Sequence, residues 1–295
     1  MTTHHALLSF PGCAQILLVA GALFSATTAQ ASDCPSSPEI DKVFKEYQIE
    51  VHVLDAGTGP LKPLRYQFQA ARNTTTRKEA KRTDTAETPQ GPRSREVETV
   101  DIRVIQEQSV SESTIARVSS ATTSTETPVG SLSGETEEHR STYSISTCGH
   151  VFDWTSTKDD FDPDVLPYLP SEPLGVGARW TMQMEQVGNR IFPAGATMLT
   201  TYELTSIEGS QLTMHIEMQV DIHPGKNNQE PPMTIEESHA KGSTVGVLDL
   251  NRPYASRDRS TMQMNLNATI HTPDGPVPVQ MLMDGTMHKR TVDAP

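Results

Sequence analysis

The chain is poor in aromatic residues, in positive charge and in long apolar runs. Aromatic side chains make up 5% of its 295 residues and apolar side chains 35%, so any hydrophobic core is thin. Lysine and arginine number 24 against 37 acidic residues, which argues against binding to nucleic acid or to an anionic membrane through a positive field. Regular alternation of apolar and polar residues nevertheless distinguishes the chain from a disordered one.

The first 31 residues lack Lys, Arg, Asp and Glu and are typical of a secretory signal peptide. An apolar run at 16–24 is followed by the small-x-small sequence Ala29-Gln30-Ala31, so we expect cleavage after Ala31. The run is too short to span a membrane, which takes about 20 apolar residues, and no second run follows it. The mature chain is therefore expected to have no membrane span and to be secreted, with the periplasm as its compartment.

Cysteine is almost absent from the chain. Only three cysteines occur, and Cys13 is removed with the leader. The remaining two, Cys34 and Cys148, are expected to form one disulfide, because an even pair in an oxidising compartment is usually bonded. Two free thiols are the alternative.

Only one segment of the mature chain predicts a helix. Ser37 suits the N-cap and Pro38 the first helical turn. The apolar residues that follow recur at helical spacing: Ile40, Val43, Phe44 and Tyr47. The rest alternates with a period of two, as strands do. The predicted fold class is mostly β, with antiparallel curved sheets or half-barrels in two halves and one short N-terminal helix after the signal peptide.

A proline-rich connector at 156–178 divides the mature chain into two predicted halves. The N-terminal half, 32–155, contains long polar stretches at 72–95 and 119–137, which we expect to be mobile loops. The C-terminal half, 179–295, alternates more regularly. Its strands are expected at 179–187, 197–207, 211–222, 233–250, 259–271 and 277–290.

The connector ends in Pro173-Leu174-Gly175-Val176-Gly177-Ala178-Arg179-Trp180, a Pro-x-Gly-x-Gly-x-x-Trp element. This element resembles one in uncharacterised secreted proteins and lipoproteins of bacteria, in which it opens a β-rich half. Those families are similar to the curved antiparallel sheets of periplasmic lipoprotein carriers. The resemblance covers these eight residues and the β pattern behind them. It implies a curved sheet and assigns no catalytic residue.

Methionine is absent from residues 2–181, yet eleven methionines follow at 182–287. Their spacing is mostly even, and successive side chains of a strand alternate between faces, so each group is expected on one face of the sheet. That face is either an ordinary core or a surface that shelters an apolar molecule, since methionine adapts to varied apolar partners. The residues expected to bind such a ligand are Trp180, Met184, Met214, Met218, Met264 and Met283.

No sequence motif for catalysis occurs in the chain. It lacks a glycine-rich phosphate loop, a Gly-x-Ser-x-Gly turn and a His-Glu-x-x-His pattern, and no cofactor is predicted. We therefore expect a non-catalytic binding or scaffold protein whose partner is an apolar small molecule, a lipid or a protein segment. Two alternatives stay open: a hydrolase with its site in the polar loops, and a Cu(I)-handling protein that uses the Met-x-Met strands, because thioethers select Cu(I).

Overall fold

A computed structural model describes most of the mature chain. The residues it describes are 34, 37–67, 71–88, 91–111, 114–126, 137–156, 167–186, 194–227, 232–236, 238–272 and 275–293. The predicted signal peptide, 1–31, lies outside them. The chain from Cys34 to Pro295 forms one compact unit. Within the described ranges, no helix has both the length and the apolar character needed to cross a membrane.

The described residues contain one helix and sixteen strands, which confirms the prediction of a mostly β protein with one short helix. The helix, α1, is Pro38–Glu46. The strands are β1 Glu50–Asp55, β2 Thr58–Lys62, β3 Ala71–Thr88, β4 Gly91–Ser111, β5 Thr114–Glu126, β6 Glu137–Ser146, β7 Val151–Ser156, β8 Leu174–Val176, β9 Arg179–Gln186, β10 Ala196–Glu208, β11 Gln211–Ile222, β12 Gly225–Asn227, β13 Met233–Ile235, β14 Ser238–Asp249, β15 Arg252–Thr272 and β16 Gly275–Asp293.

Helix α1 begins where its capping residues predict. Ser37 is the N-cap, and its Oγ accepts a hydrogen bond of 3.2 Å from the backbone N–H of Ile40. Pro38 occupies the first turn, where its missing N–H costs nothing. The predicted apolar stripe is buried or partly buried: Ile40, Val43, Phe44 and Tyr47. Packing of this stripe, more than intrinsic propensity, holds a helix of only nine residues in place.

Fourteen of the strands form one antiparallel sheet. Its order is β1-β9-β10-β11-β14-β15-β16-β3-β4-β5-β6-β7, with β12 and β13 attached beside β15, while β2 and β8 form a separate pair. Because β1 pairs with β9 and β16 pairs with β3, the residues of the two predicted halves lie in the same sheet.

The polar stretches that we expected to be loops are largely strands, so that expectation was wrong. Residues 72–88 lie in β3, residues 91–95 begin β4, and residues 119–126 end β5, while 127–136 lie outside the described residues. The physical reason is that β3 pairs along its length with β4 on one side and with β16 on the other, which satisfies its backbone polar groups. Its threonines are also β-branched, which favours strand.

The sheet curls so that strands from both ends of its order share one core. Ile145 of β6 and Val151 of β7 belong to the same hydrophobic cluster as Trp180 of β9 and Tyr202 of β10. These strands lie near opposite ends of the strand order, so their side chains meet only if the sheet curls. Helix α1 contacts β7 and packs against this cluster, which we call the main core.

The Pro-x-Gly-x-Gly-x-x-Trp element has a structural part in the main core. Gly175 lies so close to β2 that a Cβ on it would clash with the carbonyl oxygen of Thr58. Gly177 has a φ of +84°, a left-handed conformation that favours glycine. Trp180 is fully buried, and its indole N–H donates to the carbonyl oxygen of Tyr168 at 2.8 Å. The element therefore turns the chain into β9 and anchors it there.

The disulfide between Cys34 and Cys148 is present, as predicted. It joins residues 114 positions apart and ties the segment before α1 to the turn after β6. Cys148 is buried, and its carbonyl oxygen accepts a hydrogen bond of 2.9 Å from the backbone N–H of Leu169. The bond thus fixes the start of the described chain against the main core.

Replacing both cysteines, as Cys34→Ser/Cys148→Ser, is expected to lower the free energy of unfolding by about 2–4 kcal/mol, because the unfolded chain regains the entropy of a long open loop. Urea unfolding of the oxidised wild type and the double variant measures the difference. Reduced wild-type protein is the matched control and should resemble the variant. Equal stability of the oxidised protein and the variant would contradict this role.

Candidate functional site

All eleven methionines after Met1 project from one side of the sheet, here called the Met face. Residues paired directly across antiparallel strands share a face, and the observed pairs include Met184 with Met198 and Met264 with Met283. Following the pairing from β9 to β16 places every one of them on this side: Met182, Met184, Met198, Met214, Met218, Met233, Met262, Met264, Met281, Met283 and Met287.

Burial divides the Met face into two regions. Over β9, β10 and β11, helix α1 and the segments 63–67 and 167–170 contribute side chains to the main core, and Met182 and Met214 are each 2% exposed. Over β15 and β16 the same face is partly exposed, and Met262 is 41% exposed. Met198 and Met233 are also partly exposed, but Met198 packs against the main core and Met233 against a second core cluster of Ala196, Ile222 and Ile235. The open Met patch is the name used here for the other methionines that are not fully buried, of which Met264 also packs against the second cluster: Met218, Met262, Met264, Met281, Met283 and Met287.

The six residues predicted to bind a ligand fall into both regions. Three are buried in the main core: Trp180, Met184 and Met214. The other three belong to the open Met patch: Met218, Met264 and Met283. Sequence periodicity identified the shared face, but it could not show which part is covered, because the covering residues come from helix α1 and from segments remote in the sequence.

A charged pair on β3 borders the open Met patch. Asp84 lies directly opposite Met283, and Arg82 lies directly opposite Gly285. Arg82 Nε is 3.0 Å from Asp84 Oδ1, and the two side chains are 44% and 6% exposed. Sequence reasoning missed this pair, because only the pairing of β16 with β3 brings it to the methionines.

A groove of about 880 Å³ crosses six strands at the level of Met218 and Met262. Its volume lies within the range of small-molecule sites, which is about 300–1,000 Å³. Directly paired residues form a row across the Met face here: Met218, Gly242, Met262 and Gly285. At the two glycines of this row the sheet presents backbone instead of a side chain. The residues on either side of the row are polar and include more acids than bases. Because successive side chains of a strand alternate between faces, these polar side chains point away from the Met face, where the groove presents thioethers and exposed backbone.

One cluster of polar residues resembles a hydrolytic site in composition but not in geometry. The hydroxyl of Thr197 donates to Glu185 Oε1 at 2.8 Å and lies 2.9 Å from His223 Nε2. In a nucleophile–base–acid triad the histidine takes the proton of the hydroxyl and the acid orients the histidine. Here the hydroxyl proton points to the carboxylate. This arrangement is that of a surface hydrogen-bond network.

No group of three His, Cys, Asp or Glu residues in the described part of the chain is placed to hold a metal ion. Thioethers are a separate class of ligand and select softer metal ions.

No protein-family model matches this chain, and no curated protein shows significant similarity to it. Function must therefore be argued from the chemistry of the site itself.

His150 is buried where α1 meets β7, and its surroundings keep it neutral. Its ring centroid lies 4.8 Å from that of Phe44 and 5.1 Å from that of Tyr168. Burial, assisted by the positive charge of Arg65, lowers the pKa of His150 from 6.5 to about 4. A shifted pKa can mark a catalytic base. This ring, however, is packed between two aromatic side chains, so we assign it to the core.

Acidification is expected to destabilise the fold through His150. Between pH 6.5 and about pH 4, His150 becomes protonated in the unfolded chain but stays neutral in the folded chain. The free energy of unfolding should therefore fall by about 3 kcal/mol as the pH drops through this window. Urea unfolding at several pH values measures the slope in wild type and in His150→Phe.

The variant His150→Phe should lack this part of the slope, whereas His52→Gln, at an exposed site, should keep it. If His150→Phe and wild type lose stability in parallel between pH 6.5 and pH 4, the buried neutral state of His150 is refuted.

Proposed function

We propose that this protein is a secreted, non-catalytic carrier that shelters the acyl chain of a lipid on the open Met patch. The observation that supports the proposal is the uneven burial of a single apolar face. The Met face is covered where it contributes to the main core or to the second core cluster, and it is partly exposed over the rest of β15 and β16. An exposed apolar patch of this kind marks a binding surface more often than chance exposure does.

The shape of the patch favours an elongated apolar ligand. Met264 lies directly opposite Met283, and Leu266 lies directly opposite Met281, so β15 and β16 present an apolar strip along the strands. Methionine side chains have three rotatable bonds and repack around chains of different length. Arg82, at the border of the patch, suits the polar end of such a molecule.

Secretion is part of this proposal. It rests on the leader at 1–31 and is supported by the disulfide between Cys34 and Cys148, since such bonds persist in oxidising compartments. The resemblance of the element at 173–180 to bacterial secreted proteins favours the periplasm. The mature protein is then expected to begin at Ser32.

A polar substitution inside the patch is expected to weaken ligand binding. Met283→Gln should raise the Kd for a fluorescent long-chain fatty acid by about tenfold, because it removes an apolar contact worth about 1.5 kcal/mol. Leu282→Gln is the matched control, since Leu282 is 40% exposed on the opposite face of the same strand. Fluorescence titration of the mature protein and the two variants measures both effects.

Equal weakening by Met283→Gln and Leu282→Gln would contradict a site on the Met face, and so would a wild-type protein that does not bind the probe. Native mass spectrometry of protein purified from its own host should also show a bound lipid of defined mass.

A further inference from the structure

Four methionines of the open Met patch stand together on two adjacent strands. Met262 and Met264 of β15 form one Met-x-Met sequence, and Met281 and Met283 of β16 form another. The pairing register sets Met264 directly opposite Met283, with Met262 and Met281 on the two diagonals. Directly opposed residues have Cβ atoms about 4.5–5.5 Å apart and diagonal residues about 7–8 Å apart. We call these four residues the thioether quartet.

The side chains of the quartet have room to turn towards one another. Met262 lies directly opposite Gly242 on β14 and Gly285 on β16, so neither neighbouring strand places a side chain beside it. Met218 lies directly opposite Gly242 on the neighbouring strand. Its Cε lies 3.6 Å from the position that a Cβ of Gly242 would occupy, so this methionine side chain extends into the space beside a glycine. Because methionine has three rotatable bonds, the sulfurs of Met264 and Met283 can reach one small ion together with the sulfur of either Met262 or Met281. Met262 and Met281 lie four residues apart along the strands, so they cannot both bind the same ion.

The electrostatic setting tolerates a positive ion. Asp84 lies directly opposite Met283 and is nearly buried, and Arg82 pairs with it at 3.0 Å. The pair of Asp84 and Arg82 therefore adds no net charge beside the quartet, and the chain as a whole carries a formal charge of −13. Thioethers themselves are neutral and do not titrate, so they hold a cation without having to lose a proton.

We propose that the thioether quartet is a binding site for a soft monovalent metal ion, Cu(I) or Ag(I). Soft sulfur ligands select such ions over the harder divalent ions that imidazole and carboxylate prefer. Unlike the carrier function, this proposal requires sulfur and not merely an apolar surface. Substitution of methionine by leucine therefore separates the two, since leucine keeps the apolar surface and removes the ligand atom.

Cu(I) titration of the mature protein, with ascorbate as reductant and bathocuproine disulfonate as competitor, tests the proposal. The wild type is expected to bind one Cu(I) with a Kd below about 1 μM. Met264→Leu/Met283→Leu should weaken binding by about tenfold or more. Met198→Leu is the matched control, because Met198 is on the same face but packs against the main core, and it should leave the Kd unchanged.

Two further readouts distinguish thioethers from other ligands. X-ray absorption of the Cu(I) complex should show sulfur neighbours without nitrogen, and the Kd should stay constant between about pH 5 and pH 8, where histidine ligands would titrate. Wild-type binding weaker than about 1 μM would overturn the proposal. So would an unchanged Kd in Met264→Leu/Met283→Leu, or equal weakening by Met198→Leu.

Fatty-acid binding distinguishes failure of the metal site from failure of the carrier function. Retained fatty-acid binding with lost Cu(I) binding in Met264→Leu/Met283→Leu supports the metal site and leaves the carrier function intact. A wild-type protein that binds Cu(I) but no fatty acid would count against the carrier function and leave the thioether quartet standing.

Discussion

The strand register from β9 to β16 is the constraint on which the rest of this structure depends. A slip of one residue in any pairing would move a whole set of side chains to the other face. The register that is found places Met218 opposite Gly242 and Met264 opposite Met283, so the methionines of neighbouring strands stay on one side. Tight turns help to fix it: Gly209, with a φ of +63°, closes the hairpin between β10 and β11.

The scarcity of aromatic residues explains why only part of the Met face is filled. The large side chains that fill a core are concentrated in one cluster, the main core: Tyr66, Tyr168, Trp180 and Tyr202, with Phe44 packed against it. Few aromatic side chains remain for the long strands β15 and β16, whose described Met-face positions carry mostly methionine and aliphatic residues, with glycine at 285. A face with this composition is apolar yet incompletely covered, which is the physical basis of both proposed binding roles.

The sequence predicted an element well where all the residues that indicate it lie close together in the chain. The cap at Ser37 predicted α1, and the cysteine pair predicted the disulfide between Cys34 and Cys148. The alternation from residue 179 onwards predicted β9, β10, β11, β14, β15 and β16, whereas the short β12 was missed and β13 was not separated from β14. The polar strands β3 to β5 were missed, because pairing with remote strands and not local apolar alternation makes them strands.

The site was predicted only in part, for the same reason. Even spacing identified the face shared by Met264 and Met283, but the burial of Trp180 and Met214 depends on α1 and on segments far away in the sequence. The charged neighbour Asp84 reaches the patch only through the pairing of β16 with β3. Non-local contacts of this kind leave no local pattern to detect.

Residue-resolved oxidation of the methionines by hydrogen peroxide tests the central claim most directly. Exposed thioethers oxidise to sulfoxides faster than buried ones, and peptide mass spectrometry resolves each site. The account predicts fast oxidation in the folded protein at the open Met patch, led by Met262, and slow oxidation at Met182 and Met214. Equal rates at Met262 and Met182, or protection of the whole face in the ligand-free protein, would contradict it.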